Sequence, residues 1–338
     1  MDNTNAEILN TLLAHRELAE PQLRWIMAEM MAGRCGEAEA AAFLIALRMK
    51  GETAREIAYA AQVLREHMVR WEPGREDCLD TCGTGGDGCG TFNISTATAL
   101  VVAGAGVPVV KHGNRSVSSR SGSADVLAAL GVKIDGDADF ARLCLHQANF
   151  AFCFAPQFHP ALKHVAALRR SLGVPTIFNC LGPLANPAGA PRQLLGVGRL
   201  DLLDLMAEAL AKLGTLHAFV LCSQDGLDEV SLSAPTMVRE VRGGNVSNHE
   251  WTPADFGLEK CTFAEISAPH TQASADMITE VLAGKDTAAL RIVLANSAAA
   301  LLAAERVRTL LEGVDLARET ISTGRAQEVL STLRRLSV

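Results

Sequence analysis

The stretch DTCGTGGDGCGTFNIST, from Asp80 to Thr96, places five glycines between a short strand-like run and the helix former ISTATALVVAG. A glycine in an ordered segment gives up more backbone freedom than any other residue, so a simple corner would use one or two. A main chain that wraps an anion can use all five. Free N–H groups and short hydroxyls ahead of a helix N-terminus surround a phosphate or pyrophosphate. A strand, a loop and a helix in that order also open a βαβ unit, which commits the chain to a sheet with parallel strands.

Upstream of this loop the pattern is helical. GEAEAAAFLIALRMKG reads as a helix stopped at Gly51, and Thr53-Ala-Arg-Glu56 reads as a capping box opening another towards His67. After WEPGRED the pattern alternates: a strand near Cys78 to Asp80, a helix from about Ser95, the strand VPVVK, and a helix capped by Ser123 and ended by Gly131. LLGV, the helix DLLDLMAEALAKLG and the strand HAFVLC continue it, with Leu202, Leu205, Met206, Ala209 and Leu213 forming one apolar face. The expected fold class is α/β: a small all-helical domain, 1–72, joined by helices from about 165–190, and a larger domain, 73–338, with a mainly parallel central sheet. Aromatics at 4% and an excess of Ala, Leu and Val suit helices on a buried parallel sheet better than a sandwich.

A net charge of -7 without a long basic run argues against nucleic-acid binding, so any anion must be met locally. The nine cysteines are scattered, odd in number and form no C-x-x-C pair, which suits reduced thiols in a cytoplasm. MDNTNAEILN lacks the features of a signal peptide, and the apolar stretch from Leu100 to Val110 is too short to span a membrane. We therefore expect a soluble cytoplasmic protein. His159 and His164 are five apart and do not share the face a zinc helix uses, and Cys82, Cys89 and Cys180 read as small fillers.

Gly83, Gly85 and Gly88 fit the dinucleotide pattern G-x-G-x-x-G. That reading wants an acid after the next strand, where this chain has Lys111 and Arg115. No Gly-Lys-Ser/Thr follows, so the loop is not a Walker loop either. A tight strand-to-helix crossover is the bland alternative. The next polar stretch, KHGNRSVSSRSGSADVLAALG, offers Lys111 as a mobile point charge, Asn114 as donor and acceptor, and hydroxyls at Ser118, Ser119 and Ser123. Asp228 and Glu229 lie in a turn after HAFVLC and, on their own, read as a solvated acidic turn. On the helix beginning at Pro160, the stripe of Leu162, Val165, Leu168 and Leu172 turns Arg169 inward and Arg170 outward.

FLIALRMKGET, GTGGDGCGTFNIST, KHGNRSVSSRSGSADVLAALG, HPALKHVAALRRSLGVPTIFNCLGPLANPAG and DGLDEVS follow one another in order from Phe43 to Ser231. In these motifs the chain resembles the anthranilate phosphoribosyltransferase family. The resemblance implies a nucleoside phosphorylase/phosphoribosyltransferase-like fold, a homodimer through the helical domain, and transfer of a phosphoribosyl group from 5-phosphoribosyl-1-pyrophosphate (PRPP) to the amine of anthranilate in tryptophan biosynthesis. It implies that Gly83, Gly86, Asp87, Thr91, Asn93, Ile94, Ser95 and Thr96 bind PRPP. In the second stretch it adds Lys111, His112, Gly113, Asn114, Arg115, Ser116, Val117, Ser118, Ser119 and Ser123. Anthranilate falls to Gly83, Asn114 and Arg169, and Mg2+ to Ser95, Asp228 and Glu229, with no general base assigned. His112 is expected to shape the site sooner than to carry a proton. Two departures bear on the acceptor side and the C-terminal helices: Pro175 stands where the family often has arginine, and KDTAALRIVLAN lacks the family's common Gly-Pro pair. A nucleoside phosphorylase and a non-catalytic nucleic-acid-binding relative remain the alternatives, the dehydrogenase reading having failed at Lys111.

Overall fold

The computed structural model describes residues 4–115 and 121–338, so Ser116, Val117, Ser118 and Ser119 lie outside the described residues. Four helices open the chain: α1 (Asn5–Leu13), α2 (Glu20–Met31), α3 (Glu37–Lys50) and α4 (Ala54–Glu66). Gly51 ends α3 at φ +89°, a conformation open to glycine. The capping box at Thr53 forms, with Glu56 N–H donating to the Thr53 hydroxyl and Thr53 N–H donating to the Glu56 carboxylate. Glu56 does more than cap. Its carboxylate is fully buried and also accepts from Leu18 N–H at 3.0 Å and Lys50 Nζ at 2.7 Å. One side chain thus ties α3, α4 and the α1–α2 connection together.

The rest of the chain builds one seven-stranded sheet: β1 (Leu79–Gly83), β2 (Val109–Gly113), β3 (Phe150–Phe154), β4 (Arg192–Gly196), β5 (His217–Ser223), β6 (Thr236–Arg242) and β7 (Asn245–Trp251). The order is β3-β2-β1-β4-β5-β6-β7; the first five are parallel, and β6–β7 is an antiparallel hairpin turning at Gly243 and Gly244, both at positive φ. Crossovers are made by α5 (Ile94–Gly104), by α6 (Ser123–Ala129) with α7 (Ala138–Ala148), by α8 (Ala155–Phe158), α9 (Lys163–Leu172) and α10 (Phe178–Leu181), and by α11 (Leu203–Lys212). After β7 come α12 (Phe263–Ile266), α13 (Thr271–Leu282), α14 (Ala288–Ala303), α15 (Leu310–Ser322) and α16 (Arg325–Leu336). Among the described residues no helix is long and apolar enough to cross a membrane.

Strand alternation divides the interior in two. Leu194, Phe219 and Leu221 point into a core with α5, α13, α14 and α16, whereas Leu195, Ala218, Val220 and Cys222 point into another with α1 to α4 and α11. Val165, Leu168, Phe178 and Leu181 of α9 and α10 join this second core, beside the opening helices. Two local expectations need correcting. Ser123 is the first residue of α6 and not its cap: the cap position is Gly122, whose N–H donates to Asp125 at 3.1 Å. On α11 the buried residues are Leu203, Met206, Ala207, Ala209 and Leu210, while Leu202, Leu205 and Leu213 are half-buried. The helix is wedged between α4 and strands β5 and β6, so its buried arc is wider than a single stripe and shifted round the helix.

Removing the Glu56 carboxylate strands a buried Lys50 ammonium and two N–H donors. Glu56→Ala is expected to cost about 3–5 kcal/mol in urea unfolding, with activity per folded molecule retained.

Candidate active site

The sheet order reverses between β1 and β4: the chain steps outward from β1 through β2 to β3, then returns to the other side of β1. Ligands of open α/β sheets bind beyond the carboxyl ends of the strands at such a point. Here β1 ends at Gly83 and β4 at Gly196, paired in register. The loop after β5, carrying Asp228 and Glu229, lies across both ends. A Cβ on Gly83 would stand 2.7 Å from Asp228 Oδ2, and one on Gly196 would collide with the Asp228 carbonyl oxygen. These two glycines supply room. Gly85, Gly86 and Gly88 serve differently: each has positive φ, between +65° and +80°, with open space where a side chain would go.

The glycine loop is anchored at both ends. Thr84 N–H donates to Gly196 O at 2.9 Å, and beyond the loop Phe92 N–H donates to Ile266 O and Asn93 N–H to the Ser274 hydroxyl. Asn93 caps α5, its Oδ1 accepting from the Thr96 N–H and hydroxyl. Ile94 and Thr96 are buried, so they can offer a ligand little more than main chain. Thr91 bridges to Ser267. Ser95, half-buried, sits where the loop, the lysine and the acids meet: its Oγ accepts from Lys111 Nζ at 3.0 Å, and its N–H donates to Glu229.

Lys111 corrects the expectation of a mobile charge. It is buried on β2, with its ammonium donating to the Thr81 carbonyl and the Ser95 hydroxyl, which leaves it a fixed counter-charge facing Glu229 and Asp228. Burial pulls its pKa down and Asp80 opposes that shift. The acids are under strain of the opposite sign. Burial first, and then the neighbouring Asp87, push Asp228 up to about 7; burial and then Asp228 push Glu229 well above the usual carboxylate range, against the pull of Lys111. Gly85 N–H donates to Asp228. Asp87, Asp228 and Glu229 therefore share one small volume with a single buried ammonium. Among the described residues no group of three or more His, Cys, Asp or Glu side chains could hold a metal by itself. Two carboxylates and a hydroxyl are a donor set for a hard divalent cation that keeps waters or takes ligand oxygens.

The second polar stretch is spread out. Ser123 approaches Gly113 so closely that a Cβ there would collide with its hydroxyl. Asn114 is exposed and accepts from Arg115 N–H, and Arg115 pairs with Asp125 at 2.9 Å. His112 faces away from the loop: its Nδ1 meets Gly182 O at 3.0 Å and its ring lies 4.8 Å from that of His159, tilted by 42°. Burial drives His112 down to about 3 and His159 to about 4, so both are neutral, which suits a shaping role and not a proton carrier. Arg169 is half-buried on α9 and Arg170 exposed. The Arg169 guanidinium stands over the Phe178 ring at 5.3 Å and makes no ion pair among the described residues, and desolvation lowers its pKa. No hydrogen bond or ion pair among the described residues joins Arg169 to Gly83 or Asn114.

Asp80 and Asn186 belong to the site's support and were not foreseen. Asp80, buried on β1, accepts from His112 N–H at 3.2 Å and from Asn186 Nδ2 at 2.8 Å; the same amide nitrogen donates to Val110 O. An acid within an apolar strand was the available signal. A cavity of about 550 Å³ opens at the opposite end of the strands, but its acids are spoken for: Glu240 meets His217 and His249, and Glu305 meets Arg192 and Arg242.

A helical bundle beside a mainly parallel sheet, with an anion cradle and an acidic pair at the switch point, defines a class of group-transferring enzymes. Residues 6–68 match the model of a glycosyl transferase family, helical bundle domain, and 75–327 that of a glycosyl transferase family, a/b domain. The chain is 47% identical to the anthranilate phosphoribosyltransferase of Symbiobacterium thermophilum over 97% of this chain and 96% of the relative, and 48% identical to that of Anaeromyxobacter dehalogenans over 95% of each. The crystal structure of the Thermus thermophilus enzyme superposes with a TM-score of 0.92 at 37% identity, covering 98% of this chain and 99% of that one. The Saccharomyces cerevisiae enzyme in complex with PRPP and Mg superposes at 0.91 with 28% identity, covering 100% and 98%. The chain belongs to the anthranilate phosphoribosyltransferase family.

Because burial raises Asp80 to about 6 in the folded chain, the native state holds a proton there that the unfolded state has released. The stability this group contributes is full below about pH 4 and is lost as pH rises through about 6, on the order of 2–3 kcal/mol. Urea midpoints of the ligand-free protein and Asp80→Asn, measured from pH 4 to 7, should therefore converge or cross, with the wild type losing ground as pH rises; parallel curves count against the assignment.

Proposed function

We propose that this chain transfers the 5-phosphoribosyl group of PRPP to the amine of anthranilate, giving N-(5-phosphoribosyl)anthranilate and pyrophosphate in tryptophan biosynthesis. The observation that carries the reading is the glycine cradle at the switch point facing a loop of under-neutralised acids. A donor bearing a phosphate and a pyrophosphate needs main-chain amides, and acids beside it need a cation between.

The residues present fit Mg2+. Asp228 and Glu229 offer hard oxygens whose ionisation is opposed by burial and by each other, and Ser95 adds a hydroxyl. Asp228, Glu229 and Ser95 would hold Mg2+, which would supply positive charge to the pyrophosphate leaving group. The chain's own part is positional. With the Thr84 and Gly85 N–H groups spent on Gly196 and Asp228, and those opening α5 on Phe92, Glu229 and Asn93, the N–H groups of Gly86 and Asp87 grip the anions, with Thr91, Asn93 and Thr96 at their edge, while Asn114 and Ser123 serve the second cradle. The bond from the anomeric carbon to the pyrophosphate oxygen breaks, the amine nitrogen bonds to that carbon, and the amine gives a proton to solvent. An aryl amine is already neutral near pH 7, so no side chain need act as base. Positioning and electrostatics carry the rate.

Arg169, desolvated and without an ion pair among the described residues, is the proposed partner of the anthranilate carboxylate. Exposed Leu13 and Met49, on the contacting helices α1 and α3, support a homodimer through the helical unit. A division near residues 72 and 73, with α9 and α10 packed beside the first unit, is supported by the family-model matches at 6–68 and 75–327, while the core under α1 to α4 is shared with α11 and one face of β4 and β5. Nine free cysteines favour a reducing cytoplasm.

Loss of anthranilate fluorescence on mixing with PRPP and Mg2+ tests donor, acceptor and reaction together. Asp228→Asn with Glu229→Gln should lower kcat by at least about a hundredfold, and wild-type turnover by that double variant across Mg2+ concentrations would refute the role. Arg169→Ala should raise the KM for anthranilate roughly 10–100-fold and leave that for PRPP near its original value.

A further inference from the structure

We propose that Asn296 of α14 is a positioning residue that aims the acidic pair, an inference that rests on the donor and metal chemistry proposed above. The helix is buried almost all round, and Asn296 is a fully buried polar side chain in a run, ALRIVLANSAAALLA, that is apolar but for Arg291, Asn296 and Ser297. Its amide is spent on one residue of another element. Oδ1 accepts from Val230 N–H at 2.8 Å, and Nδ2 donates to Val230 O at 3.0 Å and to Ile292 O, one turn back on its own helix, at 2.9 Å. The two bonds to Val230 imitate a rung of antiparallel ladder, made by a side chain.

Val230 follows Glu229 directly. Holding its N–H and its carbonyl fixes the peptide planes on both sides of Val230, and with them the direction in which Glu229 leaves the chain. The other end of the turn has its own clamp: the Asp225 carboxylate accepts from Leu227 N–H at 3.3 Å and from the Ser231 hydroxyl at 2.7 Å. Asp228 and Glu229 stand between the two. Mutual repulsion would otherwise turn two half-buried carboxylates outward to water whenever no cation is bound. A rigid frame keeps them converged. The frame also sets distance, because α14 packs against α5, whose N-terminus faces the glycine loop, and against β1, β4 and β5. One helix thus holds the acidic loop in register with the anion cradle, as groups behind a metal's ligands commonly do.

The test is Asn296→Leu, which preserves volume and removes both bonds to Val230. Mn2+ binding in the presence of PRPP, followed by electron paramagnetic resonance, is expected to weaken at least about tenfold. The kcat/KM for PRPP should fall in step, with the KM for anthranilate unchanged, a split that general loosening would not produce. Unaltered Mn2+ and PRPP affinity in a variant that still unfolds cooperatively overturns the proposal. Should Asn296→Leu fail to fold, Asn296→Ser, which can offer one bond at most, is measured the same way with the same two outcomes. Wild-type protein that takes up no Mn2+ with PRPP removes instead the metal reading on which this inference stands.

Discussion

The acidic loop can cross the switch point only because two strands end without side chains. Gly83 and Gly196 are register partners on β1 and β4, and Asp228 packs its carboxylate against one and its main chain against the other. Any Cβ at either position lifts that loop away from the cradle. The same contact explains the division of labour among the glycines, since those further along the loop occupy open space and are needed for positive φ alone. Geometry at the strand ends therefore comes first, and the electrostatics of the site follow from it.

Among the described residues, three carboxylates then share a volume with one neutralising ammonium. Lys111 cannot relieve this by moving, because its Nζ is held by Thr81 and Ser95 on the strand and helix that flank it. Burial first, and then this crowding of like charge, raise Asp228 and Glu229 above the usual carboxylate range. A site built this way is incomplete without a cation. It would repel PRPP alone, and with a divalent ion between them the same acids become an anchor for pyrophosphate. Affinity for donor and for metal should accordingly be mutual, each raising the other.

Long, periodic elements and the glycine loop were legible in the sequence because their signals are local. Helices α3 and α4, the Thr53 box and the succession of strand, loop and helix around Gly83 needed no distant contact to be read. What stayed hidden depends on neighbours far along the chain. Lys111 looked mobile because its spacing says nothing of Thr81 or Ser95, and α11 was given a single apolar stripe because its second packing partner lies on β5 and β6. Asn296 had a signal, one amide in an apolar helix, but its partner Val230 lies 66 residues away. The β6–β7 hairpin turns at adjacent glycines, a local sign that an expectation of a mainly parallel sheet passed over.

On the acceptor side the chemistry asks for little proton traffic, and the structure is arranged accordingly. His112 and His159 are buried, neutral and in tilted contact, and His112 ties the end of β2 to the segment that follows α10. Asn186 fastens the same segment to Asp80 and Val110. The His112 contact to Gly182 and the Arg169 guanidinium over Phe178 both bear on α10, whose last residue precedes Gly182. An aromatic acid whose carboxylate meets Arg169 would have its amine placed by that frame. Pro175 lies between α9 and α10, where it restricts the backbone linking Arg169 to Phe178. With proline in place of the family's common arginine, the proposed contact of the acceptor carboxylate with Arg169 would depend on the rigidity of this linker.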